Sequence, residues 1–254
     1  MPRIQHSVSI QKTQFAEPTF SFQPPLFYPA FQDTVHAVFV PHKYTPGYAY
    51  PLIVWLHGHG SDERQLRSIM PKVSIQNYVA VAPRGVCIKV AVDNEKEGYG
   101  WPQDSEHIAQ VERNIFDAIE VTVQKFNICR QRIFLAGYDT GGTMAFRVAL
   151  SHPQYFAGVL SLCGALPSGG KLFGNLSLVR KLPIFLAVDH NSYYYPDHQV
   201  CKNLRLLHTA CISITLRQYL YGHNLMDQML ADVNRWIMEQ INLPCPSLKS
   251  PDQL

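Results

Sequence analysis

A glycine-dense turn between two apolar runs constrains the fold of this chain more than any other sequence feature. It lies in the segment RIFLAGYDTGGTMAFRVAL, residues 132–150. The short apolar run Ile133–Ala136 predicts a buried strand, the glycines of Gly137–Gly142 predict a tight turn, and the amphipathic run from Thr143 onward predicts a helix. The segment is therefore expected to be a strand that turns sharply into a helix.

Such a turn holds its middle residue in a strained backbone conformation with an exposed side chain. It also needs small residues on either side, because the strand and the helix approach each other closely. Gly137 and Gly141 supply these small residues, and Asp139 lies midway between them. The sequence therefore indicates that Asp139 is the side chain that the turn presents.

Apolar runs and helical repeats alternate along the rest of the chain. Further strands are expected at Val35–Val40, Leu52–Leu56, Tyr78–Val81, Phe156–Leu162, Pro183–Val188 and Ile212–Leu220. Helices are expected at Glu63–Ile69, Asp104–Phe126 and Leu225–Ile241. This alternation is typical of the α/β class, with a mostly parallel central sheet and helices on both faces.

Length and composition favour one large domain with short additions at its ends. The chain has 254 residues, of which 46% are apolar and 16% are charged, enough to build one substantial core. Residues 1–33 are rich in proline and aromatic side chains and are expected to form an N-terminal arm. Residues 34–243 are expected to form the domain, and residues 244–254 a flexible tail.

Charge and hydropathy argue against two classes of partner. The formal net charge is +3 and no run of Lys and Arg exceeds two residues, so no basic surface for a nucleic acid is expected. No run approaches the roughly 20 apolar residues that a membrane helix needs. We therefore expect no membrane span, and the sequence leaves the oligomeric state open.

The cysteines favour a reducing compartment. Six cysteines are scattered without a C-x-x-C pair, and several lie in apolar runs that predict small buried side chains. Cys163 in particular ends a predicted strand and is expected to be inert. Because the N-terminal sequence also lacks the apolar stretch of a signal peptide, we expect a cytoplasmic location.

Several motifs together resemble one enzyme family. Gly137-Tyr138-Asp139-Thr140-Gly141 follows the frame G-x-S-x-G, the nucleophile elbow of α/β-hydrolases, with aspartate in place of serine. The segments WLHGHGS (55–61), FAGVLSLCGALP (156–167) and YGHNLMDQMLADVNRWI (221–237) occur in the matching order. The chain is similar to the phospholipase/carboxylesterase type, which includes dienelactone hydrolases and acyl-protein thioesterases. The resemblance implies an α/β-hydrolase fold.

The resemblance also implies roles for particular residues. In that family the elbow serine attacks an ester carbonyl, and a histidine on a late loop takes its proton. Backbone N–H groups after the nucleophile and after an HG motif stabilise the oxyanion. Carried over by position, His223 would be the base, and His59 and Thr140 would supply the two N–H groups.

In the family an acidic residue completes the catalytic set by orienting the histidine, and at this position the chain departs from the family pattern. The family's acid, which orients the histidine, falls on Ser192. Asp189 and Asp197 are carboxylates at shifted positions nearby, and we take Asp189 as the provisional acid. The resemblance therefore implies an intact oxyanion site with an altered proton relay.

Asp139 leaves three functions open. The first is hydrolysis of a small ester or related acyl substrate by an atypical Asp139–His223 site, with Asp139 as a general base. The second is a catalytically impaired homologue that binds a small ligand, because an ion pair with Asp139 would make His223 a poorer base. The third is an aspartate nucleophile that attacks saturated carbon, as in haloalkane dehalogenases and epoxide hydrolases.

A metal is not expected at this site. The H-x-H spacing of His57 and His59 is a weak metal signal, and the family uses this loop for backbone donors. We therefore predict no metal and no cofactor, and a small molecule as substrate or ligand.

Overall fold

A seven-stranded sheet forms the centre of the structure, a computed structural model that describes residues 35–89, 97–169, 173–190, 192, 194–220 and 225–242. The described strands are β1 (His36–Phe39), β2 (Tyr50–Leu56), β3 (Val79–Pro83), β4 (Val86–Lys89), β5 (Glu97–Gly100), β6 (Ile128–Tyr138), β7 (Gly158–Leu162), β8 (Ile184–Asp189) and β9 (Ile214–Tyr219). The order across the sheet is β1-β3-β2-β6-β7-β8-β9, and β4 and β5 form a separate hairpin. In the large sheet β1 is antiparallel to its neighbour and the remaining pairs are parallel.

Helices cover both faces of this sheet. The described α-helices are α1 (Leu66–Val73), α2 (Ser105–Lys125), α3 (Thr140–Ser151), α4 (Leu176–Val179), α5 (Asp197–Thr209) and α6 (Asp227–Asn242). Apolar residues of α1 and α6 pack with Phe134 on one face, and those of α2, α3 and α5 pack with its neighbour Leu135 on the other. Successive strand residues point to opposite faces, so β6 contributes to both cores. The predicted mostly parallel sheet with helices on both faces is confirmed.

The carboxyl ends of the central parallel strands meet at one edge of the sheet. β2 ends at Leu56, β6 at Tyr138, β7 at Leu162 and β8 at Asp189. In open α/β sheets, ligands bind outside this edge. The fold therefore brings the loop after β2, the turn after β6 and the segment after β8 to the same place.

The predicted turn at Gly137–Gly142 is much shorter in the structure. β6 continues to Tyr138 and α3 begins at Thr140, which leaves a single residue, Asp139, between strand and helix. The expected extent was wrong because the glycines were interpreted as loop residues. In fact Gly137 lies within the strand, one residue before its end, and Gly141 lies within the helix, where each allows a close backbone contact.

The other predicted strands and helices each overlap an observed element, but two helices and a two-stranded hairpin were not predicted. α5, the short α4 and the β4–β5 hairpin lie in stretches that carried no predicted element. The buried residues of α5 are Val200, Asn203 and Leu207. Because one of these three is polar, the apolar repeat of this helix is weak.

Several cysteines were expected to be small buried side chains, but fewer of the described ones are buried than their apolar neighbours in sequence suggested. Cys163 is buried and Cys129 is half-buried, whereas Cys87, Cys201 and Cys211 are exposed. Apolar neighbours in sequence do not share a face of an amphipathic element, so they do not indicate burial. Cys245 lies outside the described residues, as do the predicted arm (1–33) and tail (244–254).

Candidate active site at the carboxyl edge of the sheet

Asp139 occupies a strained backbone conformation between β6 and α3. Its φ is 54° and its ψ is −123°, a backbone region that residues other than glycine rarely adopt. Two backbone hydrogen bonds hold it there. The Asp139 N–H donates to the Leu162 carbonyl at 2.8 Å, and the Asp139 carbonyl accepts from the Thr143 N–H at 3.1 Å. The turn therefore presents residue 139 through its backbone, independently of the side chain.

The two elbow glycines are required by close backbone contacts. A Cβ on Gly137 would lie 2.3 Å from the Gly141 carbonyl oxygen. A Cβ on Gly141 would lie 2.3 Å from the oxygen of Leu56 and 2.4 Å from that of His57. No side chain fits at such distances. The glycines thus let α3 begin directly against β6 and against the end of β2.

The Asp139 carboxylate is hydrogen-bonded by one of the two predicted oxyanion donors. The His59 N–H donates to Asp139 Oδ2 at 3.2 Å. Thr140 is the first residue of α3, so its N–H has no partner within the helix. The Thr140 Oγ1 is buried and has no hydrogen-bond partner among the described residues. The structure thus brings together Asp139, the His59 N–H and the start of α3.

Several hydrogen bonds hold the loop that follows β2. His57 is fully buried, and its Nε2 accepts from the Gly85 N–H at 3.0 Å. The Trp101 indole N–H donates to the His57 carbonyl at 2.7 Å. The Gly60 N–H donates to the Tyr99 carbonyl at 2.9 Å, which ties the loop to β5. Burial lowers the pKa of the His57 imidazole, so the ring is neutral at neutral pH.

An ion pair between the buried Glu63 and the half-buried Arg84 holds the segment that follows this loop. Arg84 Nη2 donates to Glu63 Oε1 at 2.6 Å, and Arg84 Nε donates to Oε2 at 2.7 Å. The guanidinium also lies 4.7 Å from the centre of the Tyr99 ring, within range of a cation–π contact. The pair connects the short helical turn after the loop to the end of β3 and to the hairpin.

The three candidates for the acid lie in different environments. Asp189 ends β8 and is 2% exposed. Ser192, at the family's acid position, is also buried, and its Oγ accepts from the Tyr195 N–H at 3.1 Å. Asp197 begins α5, and its Oδ2 lies 3.2 Å from His190 Nδ1 on the surface. Among these carboxylates, Asp189 is the buried one at the edge that carries Asp139.

Negative charge surrounds the end of β7. Burial raises the pKa of the Cys163 thiol to about 12, with further contributions from Asp189, the last residue of β8, and Asp139, which follows β6. The same two carboxylates add to the effect of burial in raising the pKa of Tyr138. Cys163 is therefore a protonated thiol, unsuited to act as a nucleophile.

His223 lies outside the described residues, so its role as the base and its pairing with Asp139 stay predictions. Within the described part of the chain, no group of three or more His, Cys, Asp or Glu side chains is arranged to bind a metal ion. The described helices also include none with the length and apolar character to cross a membrane.

The sequence did not indicate what His57 does. It was considered only as part of a weak metal motif, and in the structure its ring is buried and hydrogen-bonded to backbone groups. A histidine directly after a continuously apolar strand was the signal for burial, but the sequence carries no information on the partners of its two ring nitrogens.

Several known proteins are similar to this chain in sequence or in fold. A protein from Nocardia uniformis subsp. tsuyamanensis named as an esterase, NocK, is 31% identical over 124 residues, which cover 46% of this chain and 34% of that protein. The chain thus spans about a third of the length of that curated relative. SOBER1 of Arabidopsis thaliana superposes with a TM-score of 0.64 at 19% identity, over 76% of this chain and 100% of that chain.

A carboxylesterase from Mesorhizobium loti superposes with a TM-score of 0.65 at 16% identity, over 85% of this chain and 99% of that chain. At these identities the two structural similarities support the fold and nothing finer. The sequence profile of the phospholipase/carboxylesterase family matches residues 45–241, most of the chain. The chain therefore belongs to the phospholipase/carboxylesterase family of α/β-hydrolases.

Proposed function

We propose that this protein is a carboxylesterase-type hydrolase that binds a small ester or related acyl compound at Asp139, and that Asp139 keeps its ester turnover far below that of a serine esterase. His223 is the proposed base and Asp189 the proposed acid. The N–H groups of His59 and Thr140 are the proposed donors to the ligand carbonyl.

One observation carries this proposal: the His59 N–H already donates to the Asp139 carboxylate, at 3.2 Å. In a serine hydrolase that donor stabilises the oxyanion that develops on the substrate. Here the Asp139 carboxylate already accepts from that donor. The oxyanion of a substrate would therefore develop beside the negative charge of Asp139. Two charges about 4 Å apart repel by about 4 kcal/mol at an effective dielectric constant near 20, which corresponds to about a thousandfold in rate.

Asp139 is also a poor nucleophile for an ester carbonyl. If a carboxylate oxygen attacked the carbonyl and the alkoxide left, the product would be a mixed anhydride, which is less stable than the ester. The remaining route is attack of a water molecule on the carbonyl, with the proposed base His223 taking its proton. We therefore expect slow hydrolysis without an acyl-enzyme intermediate.

The test is to restore the serine. We expect Asp139→Ser to hydrolyse p-nitrophenyl acetate about a hundredfold faster than the wild type, because a serine, an oxyanion site and a base suffice for partial catalysis. Asp139→Ala is the matched control, since it removes the carboxylate without adding a nucleophile. The Asp139→Ser, Ser192→Asp double variant should be faster again. Equal rates for Asp139→Ser and Asp139→Ala, or an acyl-enzyme burst in the wild type, would contradict the proposal.

One alternative rests on the carboxylate itself, because the strained elbow presents to a ligand a side chain that can act as a nucleophile. In this alternative Asp139 attacks a saturated carbon and a water then cleaves the alkyl ester. Intact-mass and peptide mass spectrometry after incubation with a small alkyl halide or epoxide should then show an adduct on Asp139. An unmodified Asp139 excludes the alternative.

A cytoplasmic location is also proposed. The five described cysteines are all free thiols, as is usual in reducing compartments.

A further inference from the structure

The peptide group between Gly58 and His59 carries the N–H that faces Asp139. Hydrogen bonds to its carbonyl oxygen, on the opposite edge of the peptide plane, hold this group in place. A peptide group is planar and trans, so its C=O and N–H point in opposite directions. The Gly58 oxygen accepts from His57 Nδ1 at 2.9 Å and from the Ser61 N–H at 3.2 Å. Fixing the Gly58 oxygen therefore determines the direction of the His59 N–H.

The partners of the His57 ring determine its tautomer. Nε2 accepts from the Gly85 N–H at 3.0 Å, so Nε2 carries no proton. Nδ1 faces the Gly58 oxygen, which can only accept, so Nδ1 carries the proton and donates. The ring is fully buried, and its centre lies 4.8 Å from that of Trp101. Both nitrogens of this ring are thus committed to backbone groups.

The surrounding backbone keeps the ring in this orientation. A Cβ on Gly85 would lie 3.1 Å from His57 Nε2 and 2.5 Å from the Gly100 oxygen, so a larger residue would push against the imidazole. The Gly58 N–H donates to Gln65 Oε1 at 3.3 Å, which restrains the preceding peptide as well. The loop therefore leaves the Gly58–His59 peptide little freedom to rotate.

We infer that His57 is a positioning residue that directs the His59 N–H toward the side chain at position 139. It acts through Nδ1 on the Gly58 oxygen and does not itself touch a ligand. The inference rests on the proposed function, in which the His59 N–H is a donor of the site.

Two substitutions of His57 by an amide side chain test the hydrogen bonds of the two ring nitrogens one at a time. In His57→Asn the amide N–H reaches the place of Nδ1, so the bond to the Gly58 oxygen is retained while the acceptor for Gly85 is lost. In His57→Gln the longer side chain reaches the place of Nε2, so the acceptor for Gly85 is retained while the bond to the Gly58 oxygen is lost. If His57 only stabilised the fold, both variants would affect the His59 amide to a similar extent.

The readout is hydrogen exchange of the His59 amide, followed by NMR in the full chain. We expect His57→Gln to speed this exchange about tenfold, the effect of losing one net hydrogen bond, and His57→Asn to leave it within about twofold of the wild type. The Leu135 amide, in the centre of β6, is the control for overall stability. The ring ¹⁵N spectrum of the wild type should show the proton on Nδ1.

A proton on Nε2, or equal acceleration in both variants, would overturn the inference. If neither variant folds, the tautomer in the wild type decides alone. Neither measurement depends on turnover. An inactive Asp139→Ser variant together with the expected His59 exchange would therefore count against the proposed function and leave the role of His57 standing.

Discussion

At the scale of single residues, the chemistry of the site depends on what the backbone presents. The elbow holds residue 139 by bonds from its own N–H and carbonyl, while the side chain determines the charge that meets the His59 N–H. The sequence could predict this elbow because its glycine spacing is a local requirement. It could not predict the partners of the His57 ring, because one of them is Gly85, which is distant in sequence.

Gly141→Ala should weaken the elbow although alanine normally favours a helix. Its Cβ would lie 2.3 Å from the Leu56 oxygen, so the start of α3 must move away from β2. We expect a loss of about 1–3 kcal/mol in the free energy of unfolding, measured by urea denaturation. Gly47→Ala is the control, because a Cβ there meets nothing within 4 Å. Similar losses in both variants would show that the contact at Gly141 is unimportant.

At the scale of elements, the site depends on segments that the sequence did not reveal. The β4–β5 hairpin lies in a stretch for which the sequence predicts no strand, yet Tyr99 on β5 accepts from Gly60 and contacts Arg84. The pairing of two short strands is a non-local property, and neither strand has a distinctive apolar repeat. The segments Leu52–Leu56 of β2 and Ile133–Ala136 of β6, in contrast, were predictable because both are continuously apolar and buried.

Glu63→Gln should destabilise the protein in a pH-dependent way. Burial acts to raise the pKa of Glu63, but the hydrogen bonds and charge of Arg84 outweigh it and hold this pKa below its ordinary value. A lowered folded-state pKa means that the pair stabilises the fold above the unfolded pKa of about 4.3 and that this contribution is lost as the pH falls through the folded value.

We therefore expect Glu63→Gln to cost about 2 kcal/mol at pH 7, less than a fully buried pair because a quarter of the Arg84 side chain is exposed. The difference from the wild type, measured by thermal unfolding from pH 7 to pH 3, should shrink below about pH 4. Glu120→Gln, which breaks the exposed pair with Arg130, should leave the unfolding temperature nearly unchanged. A constant difference across the pH range would contradict the assigned pairing.

At the scale of the whole molecule, the alternation of strands and helices was sufficient to predict the class of fold. The position of the site followed from the parallel order, since the carboxyl ends of β2, β6, β7 and β8 share an edge. The acid was harder to identify from sequence. Asp189 and Ser192 are both buried near the end of β8. They lie only three positions apart in sequence, so the sequence does not indicate which of the two side chains faces the base.

The backbone bonds at the elbow have an evolutionary consequence. Because the main chain and two glycines maintain the bend, replacing the residue at its tip changes reactivity without demanding a new architecture. A lineage could thus exchange one type of chemistry for another by a single codon change, and the fold would persist while the biochemical activity was gained, lost or regained.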